Sequence, residues 1–229
     1  MPLPFPVMRR TLQLSLNDRR SPSELAAARE RALGRLLEFA RSRSPFYARF
    51  HRGLSGAPLA ELPVLTKQLL MESFEEVITD RTVSLASVEG HLERLPGEPL
   101  RGRYHLCSTS GSTGRRGFFL FSGDEWAGVV ASFRRAASWS GIPPWYLFAP
   151  GAAVVSPVPW HMSAQLGSPV RSAVGLFERL QADEPVETMV HRLNRRTPLT
   201  LFVYPSVGRL LAREQLEGRL RIAPRYVFT

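Results

Sequence analysis

Residues 105–121 read HLCSTSGSTGRRGFFLF, and Thr109–Gly117 crowd hydroxyl groups and glycines into one gap between two apolar runs. Gly111, Gly114 and Gly117 let the backbone approach a ligand closely, and successive N–H groups in such a loop form a concave nest for an anion. Ser110, Ser112 and Thr113 add hydroxyl donors, while Arg115 and Arg116 supply positive charge. Hydrogen bonds to a charged oxygen contribute about 1.5–3 kcal/mol each, so a few of them would hold a polyphosphate tail. The alternative is a mobile hairpin loop without a ligand. Three other glycine loops are excluded by the residues themselves. A phosphate loop of the Walker kind needs lysine and then serine or threonine after its last glycine, whereas Gly114 is followed by Arg115, Arg116 and Gly117. A dinucleotide fingerprint opens into a helix, whereas this loop runs into the aromatic GFFLF. A hydrolase nucleophile elbow needs G-x-S-x-G, which GSTG does not supply.

Other reactive side chains are sparse. Cys107 is the single cysteine, which rules out an internal disulfide and a cysteine-rich metal site. On a strand it reads as a structural thiol rather than a reactive one. His51, His91 and His191 lack metal-ligand spacing, so no metal site is expected; His105 reads as a core or surface residue of the strand before the loop. Asp124 and Glu125 fall in a capping box that begins at Ser122, which accounts for both acids. Trp126, Phe133 and Trp139 read as helix face and core rather than as platforms for stacked bases.

The elements that must position the loop follow from periodicity and capping. Residues 1–20 show no period and read as an irregular lead-in. Ser21, Pro22 and Glu24 then make a helix start, with Leu25, Ala28, Ala32, Leu33, Leu36, Leu37 and Ala40 on one apolar face. Ser44-Pro45 ends that helix and caps a short second one. Thr66 caps another within LPVLTKQLLMESFEEVIT, and EGHLERLPGEPLRGR reads as turn-rich. YHLCST and GFFLF are strands flanking the loop, and Trp126, Val129, Val130, Phe133 and Ala137 mark the helix behind them. Strands near 145–155, 172–177 and 199–204, helices near 185–195 and 206–216, and a last strand RYVFT complete an alternating α/β pattern. The expected organisation is a lead-in over 1–20, a helical section over 21–100 and an α/β domain over 101–229.

The 229 residues carry a net charge of +10, with 44% hydrophobic and 22% charged residues, ordinary for a globular protein. The basic pairs Arg9-Arg10, Arg19-Arg20, Arg115-Arg116, Arg134-Arg135 and Arg195-Arg196 are scattered rather than gathered in the stripe that duplex binding uses. A solvated basic surface is therefore the reading, with a basic nucleic-acid-binding protein kept as an alternative. Lys67 is the sole lysine. No run is apolar and long enough for a membrane helix and no secretory leader is evident, so a cytoplasmic location is expected.

The stretch TSGSTGRRG resembles the phosphate loop of adenylate-forming enzymes, the acyl-CoA synthetase superfamily, commonly written T-S-G-[ST]-T-G-x-P-K. The resemblance is strongest to the phenylacetate-CoA ligase-like branch, which similarly carries SPFY (Ser44–Tyr47) and LPVLTK (Leu62–Lys67) before the loop. PWHMSAQL and YPSVGRLLAREQLEGRLRIAPR resemble later segments of that branch, so the likeness runs from about residue 24 to the end. It implies an N-terminal helical section followed by a partial, nucleotide-facing half of an adenylate-forming domain. The implied activity is ATP-dependent activation of a carboxylate, aromatic acids being the commonest theme, through an acyl-adenylate and transfer to CoA. ATP, Mg2+ and CoA are the implied cofactors, with Thr109, Ser110, Gly111, Ser112, Thr113, Gly114, Arg115 and Arg116 holding the phosphates. His161 matches a position near the family's carboxylate pocket, where it could donate to a carboxylate beside an apolar wall from Trp160. A histidine at a helix start, bonded to its own turn, is the alternative for His161. Tyr204-Pro205-Ser206 reads as a strand end entering a helix cap.

Two departures qualify what the resemblance implies. The usual Pro-Lys ending is Arg116-Gly117 here, and the G-x-[ST]-E motif whose glutamate binds magnesium is missing. Lys67 cannot be matched to the adenylation lysine of the family's mobile C-terminal domain. The chain is therefore expected to be truncated and not to complete adenylation alone, either because a second chain supplies the rest or because it is a non-catalytic nucleotide-binding remnant.

Overall fold

Four helices begin where a hydroxyl side chain takes one of the first free N–H groups, in a computed structural model that describes residues 5–95, 98–109, 116–143, 150–166 and 177–229. Ser21 Oγ accepts the Glu24 N–H at 3.3 Å while Glu24 accepts the Ser21 N–H at 2.8 Å, and α2 (Pro22–Arg43) follows. Ser44 closes α2 through its N–H to Ala40 O, starts α3 (Pro45–Phe50) by accepting the Tyr47 N–H, and donates its hydroxyl to Glu76 O at 2.8 Å. Thr66 caps α4 (Lys67–Glu72), and the expected single helix breaks at Ser73 before α5 (Phe74–Val77). Two segments differ from expectation. The lead-in is a helix, α1 (Phe5–Asn17), because Pro6 sits in the first turn where it is tolerated. The turn-rich stretch holds α6 (Leu85–Arg94), started by reciprocal bonds between Ser84 and Ser87. On α2 only a narrow side is covered: Ala28, Leu33, Leu37 and Ala40 are half-buried, while Leu25, Ala32 and Leu36 are exposed.

The loop is carried by an antiparallel hairpin of β1 (Tyr104–Ser108) and β2 (Phe118–Ser122), in which Tyr104 faces Ser122 and Ser108 faces Phe118. Its base is tied to the helical residues before it. Tyr104 Oη donates to Asp80 at 2.7 Å, Asp80 also accepts from the Thr82 hydroxyl, and Arg101 donates twice to Thr82. These bonds explain why the hairpin belongs with the helical section. Leu12–Ser122 form one compact unit, and Gly123–Thr229 with Met1–Thr11 form another. The division therefore lies after Ser122 rather than at the expected residue 100.

The second unit is α/β. It contains α7 (Gly123–Trp139), β3 (Gly151–Val155), β4 (Phe177–Gln181), α8 (Val186–Arg196), β5 (Thr200–Phe202), α9 (Pro205–Leu216) and β6 (Tyr226–Phe228). The four strands are parallel in the order β4-β3-β5-β6. All five residues of β3 are buried, as a central parallel strand requires. Of the strand expected at 172–177 only Phe177 is described, and it opens β4; residues 172–176 and the expected 145–149 lie outside the described residues. Leu180, Met189, Leu193, Leu201, Val207 and Leu211 form the centre of the core between sheet and helices. At the β4 edge Arg192 clasps Glu178 and Glu184 and donates to Arg179 O.

The face of α7 is rotated from the expected stripe. Trp126, Ala127 and Ala131 are buried, whereas Phe133 and Trp139 are 53% and 67% exposed, with the Arg135 guanidinium 4.5 Å from the Trp139 ring centre. Asp124, in the first turn of α7, is paired with Arg9 and Arg10.

Candidate functional site

The hydroxyl-glycine loop leaves the hairpin through a neck closed by two bonds. Thr109 N–H donates to Gly117 O at 3.0 Å, and Gly117 N–H donates to Thr109 Oγ1 at 2.9 Å. Ser110, Gly111, Ser112, Thr113, Gly114 and Arg115 lie outside the described residues; Arg116 is exposed and Gly117 is buried. Gly117 is enclosed by side chains. A Cβ built there would stand 3.5 Å from Lys67 Cδ, 3.5 Å from Thr109 Oγ1 and 3.4 Å from Phe119. Lys67 is thus brought to the neck by the Thr66 cap, which fixes it as the first residue of α4. One strand residue earlier, the buried Ser108 Oγ has no hydrogen-bond partner among the described residues. The expected site did not include Lys67 or Ser108. The one signal for Lys67 was compositional, a lone lysine among 30 Lys and Arg residues.

Electrostatics separates the structural groups here from those that can meet a ligand. Burial pushes the Cys107 thiol up to about 11, so it stays protonated and is no nucleophile at neutral pH. Burial also lowers the pKa of His105. Asp80 is held at about 2, chiefly by the Thr82 hydroxyl, then by Tyr104 and the Thr82 N–H, and serves as a hairpin anchor. Among the described residues the neck offers the hydroxyls of Ser108 and Thr109 and the stem of Lys67, whose ammonium can meet a phosphate oxygen. Among the described residues no three His, Cys, Asp or Glu side chains gather. Among the described residues, too, no helix is long and apolar enough to cross a membrane.

A separate polar cluster lies in the α/β unit, at the carboxyl ends of β3 and β5. The connection after β3 leads to β4 on one side, and the connection after β5 leads to β6 on the other. That reversal of direction is the topological switch point at which open parallel sheets bind ligands. Ser156 follows β3, and Tyr204 follows β5 as the residue before α9, with Pro205 opening the helix. Between them Ser163 Oγ accepts the Ser156 N–H at 3.1 Å and lies 2.7 Å from Tyr204 Oη and 3.0 Å from His161 Nδ1. His161 opens the helical residues 162–166, its carbonyl accepting from Gln165 N–H, so the helix-start description is correct as far as it goes. Its ring, however, is also linked through Ser163 to Tyr204 on another element. Trp160 is half-buried, and its Nε1 is buried with no partner among the described residues.

No protein-family model matches the sequence, nor does any curated protein. Solved structures do. An open conformation of 2-hydroxyisobutyryl-CoA ligase, in complex with 2-HIB-AMP and CoA, matches with a TM-score of 0.51 at 20% identity over 82% of this chain and 39% of the ligase. The same ligase in its postadenylation state with 2-HIB-AMP gives 0.52 at 19% identity over 81% and 38%. This chain therefore spans less than half the length of the ligase that it resembles. At that identity the likeness is one of fold: the chain is mixed α/β and shares the fold of part of that ligase.

Proposed function

We propose that this chain is the phosphate- and carboxylate-binding part of an adenylate-forming acid–CoA ligase of the phenylacetate-CoA ligase-like kind. The observation that carries the reading is the hairpin neck, where Thr109 and Gly117 lock the loop root while Lys67 lies against it. The family's loop ends in a lysine at the position of Gly117, and here the Lys67 stem runs beside the place where that side chain would begin. Thr109, the loop residues Ser110–Arg115 and Arg116 then take the β- and γ-phosphates, with Lys67 adding the ammonium that the loop itself lacks. ATP would supply the α-phosphate that a carboxylate attacks. The protein's part is to bind, orient and offset the charge that moves onto the leaving pyrophosphate. His161 and Trp160 face the carboxylate, and an aromatic acid is the substrate class that the resemblance to that branch favours.

Turnover needs groups beyond these residues, since the magnesium glutamate motif is not in the sequence. Isothermal titration of the full 229-residue chain with ATP tests the reading. Saturable binding without carboxylate-dependent pyrophosphate exchange is expected. A chain that binds no ATP overturns the phosphate site, and exchange by this chain alone overturns the claim that turnover needs further groups.

A further inference from the structure

We propose that Tyr204, Ser163 and His161 form a one-way hydrogen-bond relay across the carboxyl ends of β3 and β5 that presents His161 Nε2–H to a carboxylate oxygen. The relay's direction follows from counting donors. A serine hydroxyl has one hydrogen and two lone pairs. The Ser156 N–H can only donate, and it occupies one lone pair of Ser163 Oγ at 3.1 Å. The Ser163 N–H can also only donate, and it points at His161 Nδ1 at 3.4 Å. Nδ1 is therefore an acceptor, and the Ser163 hydroxyl hydrogen goes to it across 3.0 Å. The remaining lone pair of Ser163 takes the Tyr204 O–H at 2.7 Å. Each atom is then satisfied in a single arrangement, which runs from Tyr204 to Ser163 to His161.

A neutral imidazole whose Nδ1 accepts must carry its hydrogen on Nε2. Two strand ends thus cooperate to fix a tautomer, and Ser163 and Tyr204 are positioning residues that act through His161. The neighbouring Trp160 Nε1–H is a second buried donor without a partner among the described residues. The Nε2–H that the relay fixes calls for an acceptor, and a carboxylate oxygen is one. The ligand half of this inference rests on the carboxylate reading above; the relay does not.

The test is long-range 1H–15N correlation spectroscopy of the full chain labelled with 15N-histidine, in alkaline buffer. The His161 signals are assigned with His161→Gln, and benzoate serves as the carboxylate probe. Wild-type His161 should show only the Nε2–H tautomer. Ser163→Ala should give a mixture of tautomers, Ser163→Thr should restore the single form, and Tyr204→Phe should weaken it without abolishing it. Benzoate should shift the Nε2 resonance, and Ser163→Ala should reduce its affinity about five- to tenfold, the worth of one oriented hydrogen bond. An Nδ1–H tautomer in the wild type, or one indifferent to Ser163→Ala and Tyr204→Phe alike, overturns the relay. A fixed Nε2–H tautomer whose resonance ignores benzoate overturns the carboxylate assignment.

Discussion

Replacing Lys67 with alanine should weaken ATP binding roughly ten- to a hundredfold, and the figure can be worked from the hairpin neck. Lys67 Cδ lies 3.5 Å from the Cβ position of Gly117. The remaining two bonds carry Nζ at most about 2.5 Å further, so the ammonium lies within about 6 Å of that position, the separation taken for a phosphate held at the neck. At that separation a unit charge pair is worth about 0.7 kcal/mol in bulk water and about 2.8 kcal/mol at the effective dielectric of a protein surface. A direct charge-assisted hydrogen bond would contribute about 1.5–3 kcal/mol. The two estimates overlap near 1.5–3 kcal/mol, and about 1.4 kcal/mol is a factor of ten. Isothermal titration of ATP and of ADP into wild type, Lys67→Ala and Lys67→Arg would measure it. Arginine keeps the charge but not the point-like ammonium, so it should fall between the other two. The loss should shrink as salt rises, because a half-exposed pair is screened. A Lys67→Ala chain that keeps its circular dichroism and binds ATP as tightly as wild type would refute the reasoning.

Three further outcomes follow from groups already described. Asp80 has its carboxyl lowered from 3.8 to about 2 in the folded chain, so its contribution is complete above about pH 4 and is lost as pH falls toward 2; Asp80→Asn should be less stable at neutral pH and show a flatter acid limb in urea titrations followed by circular dichroism. Cys107, with its thiol raised to about 11 by burial, should resist Ellman's reagent at neutral pH in the native chain and react at once in guanidinium. Gly151 pairs with Phe177, whose ring would stand 2.7 Å from an added Cβ; Gly151→Ala should cost about 1–3 kcal/mol by overpacking, measured as a lowered denaturation midpoint, and Phe177→Leu should recover part of it.

Much of the fold was legible because helix starts are written locally. Ser21-x-x-Glu24, Ser44 and Thr66 each satisfy a free N–H three residues away, so the sequence alone locates the cap. The alternation of strands and helices after residue 150 is local in the same sense. Two helices escaped for reasons equally local. The prolines at the head of α1 read as disruption although one of them occupies a tolerated first-turn position, and Phe5, Met8, Leu12 and Leu16 do make a helical stripe. In α6 the Ser84–Ser87 cap lacks the acidic partner that flags a box, and Gly90 dilutes the period. On α7 the period was legible but the phase was not: Trp126, Ala127 and Ala131 are buried while Phe133 faces solvent, a choice that tertiary packing makes.

The sites followed a different rule. The proposed loop stands out by composition, since close approach to an anion would need glycines and hydroxyls in succession. Its partner Lys67 lies fifty positions earlier, and nothing in LPVLTK states that it will return beside Gly117. That juxtaposition depends on α4 and the hairpin packing in one unit, a tertiary fact without a local signature. Ser163 and Tyr204, 41 positions apart, meet for a topological reason instead. Parallel strands β3 and β5 are neighbours in the sheet though β4 lies between them in the chain, so their carboxyl ends converge from distant segments. A hydroxyl on each side of such a convergence is invisible to spacing rules, yet it sets which imidazole nitrogen carries the proton. Residue types therefore disclose which chemistry is available, and the order of strands decides which of those residues can act together.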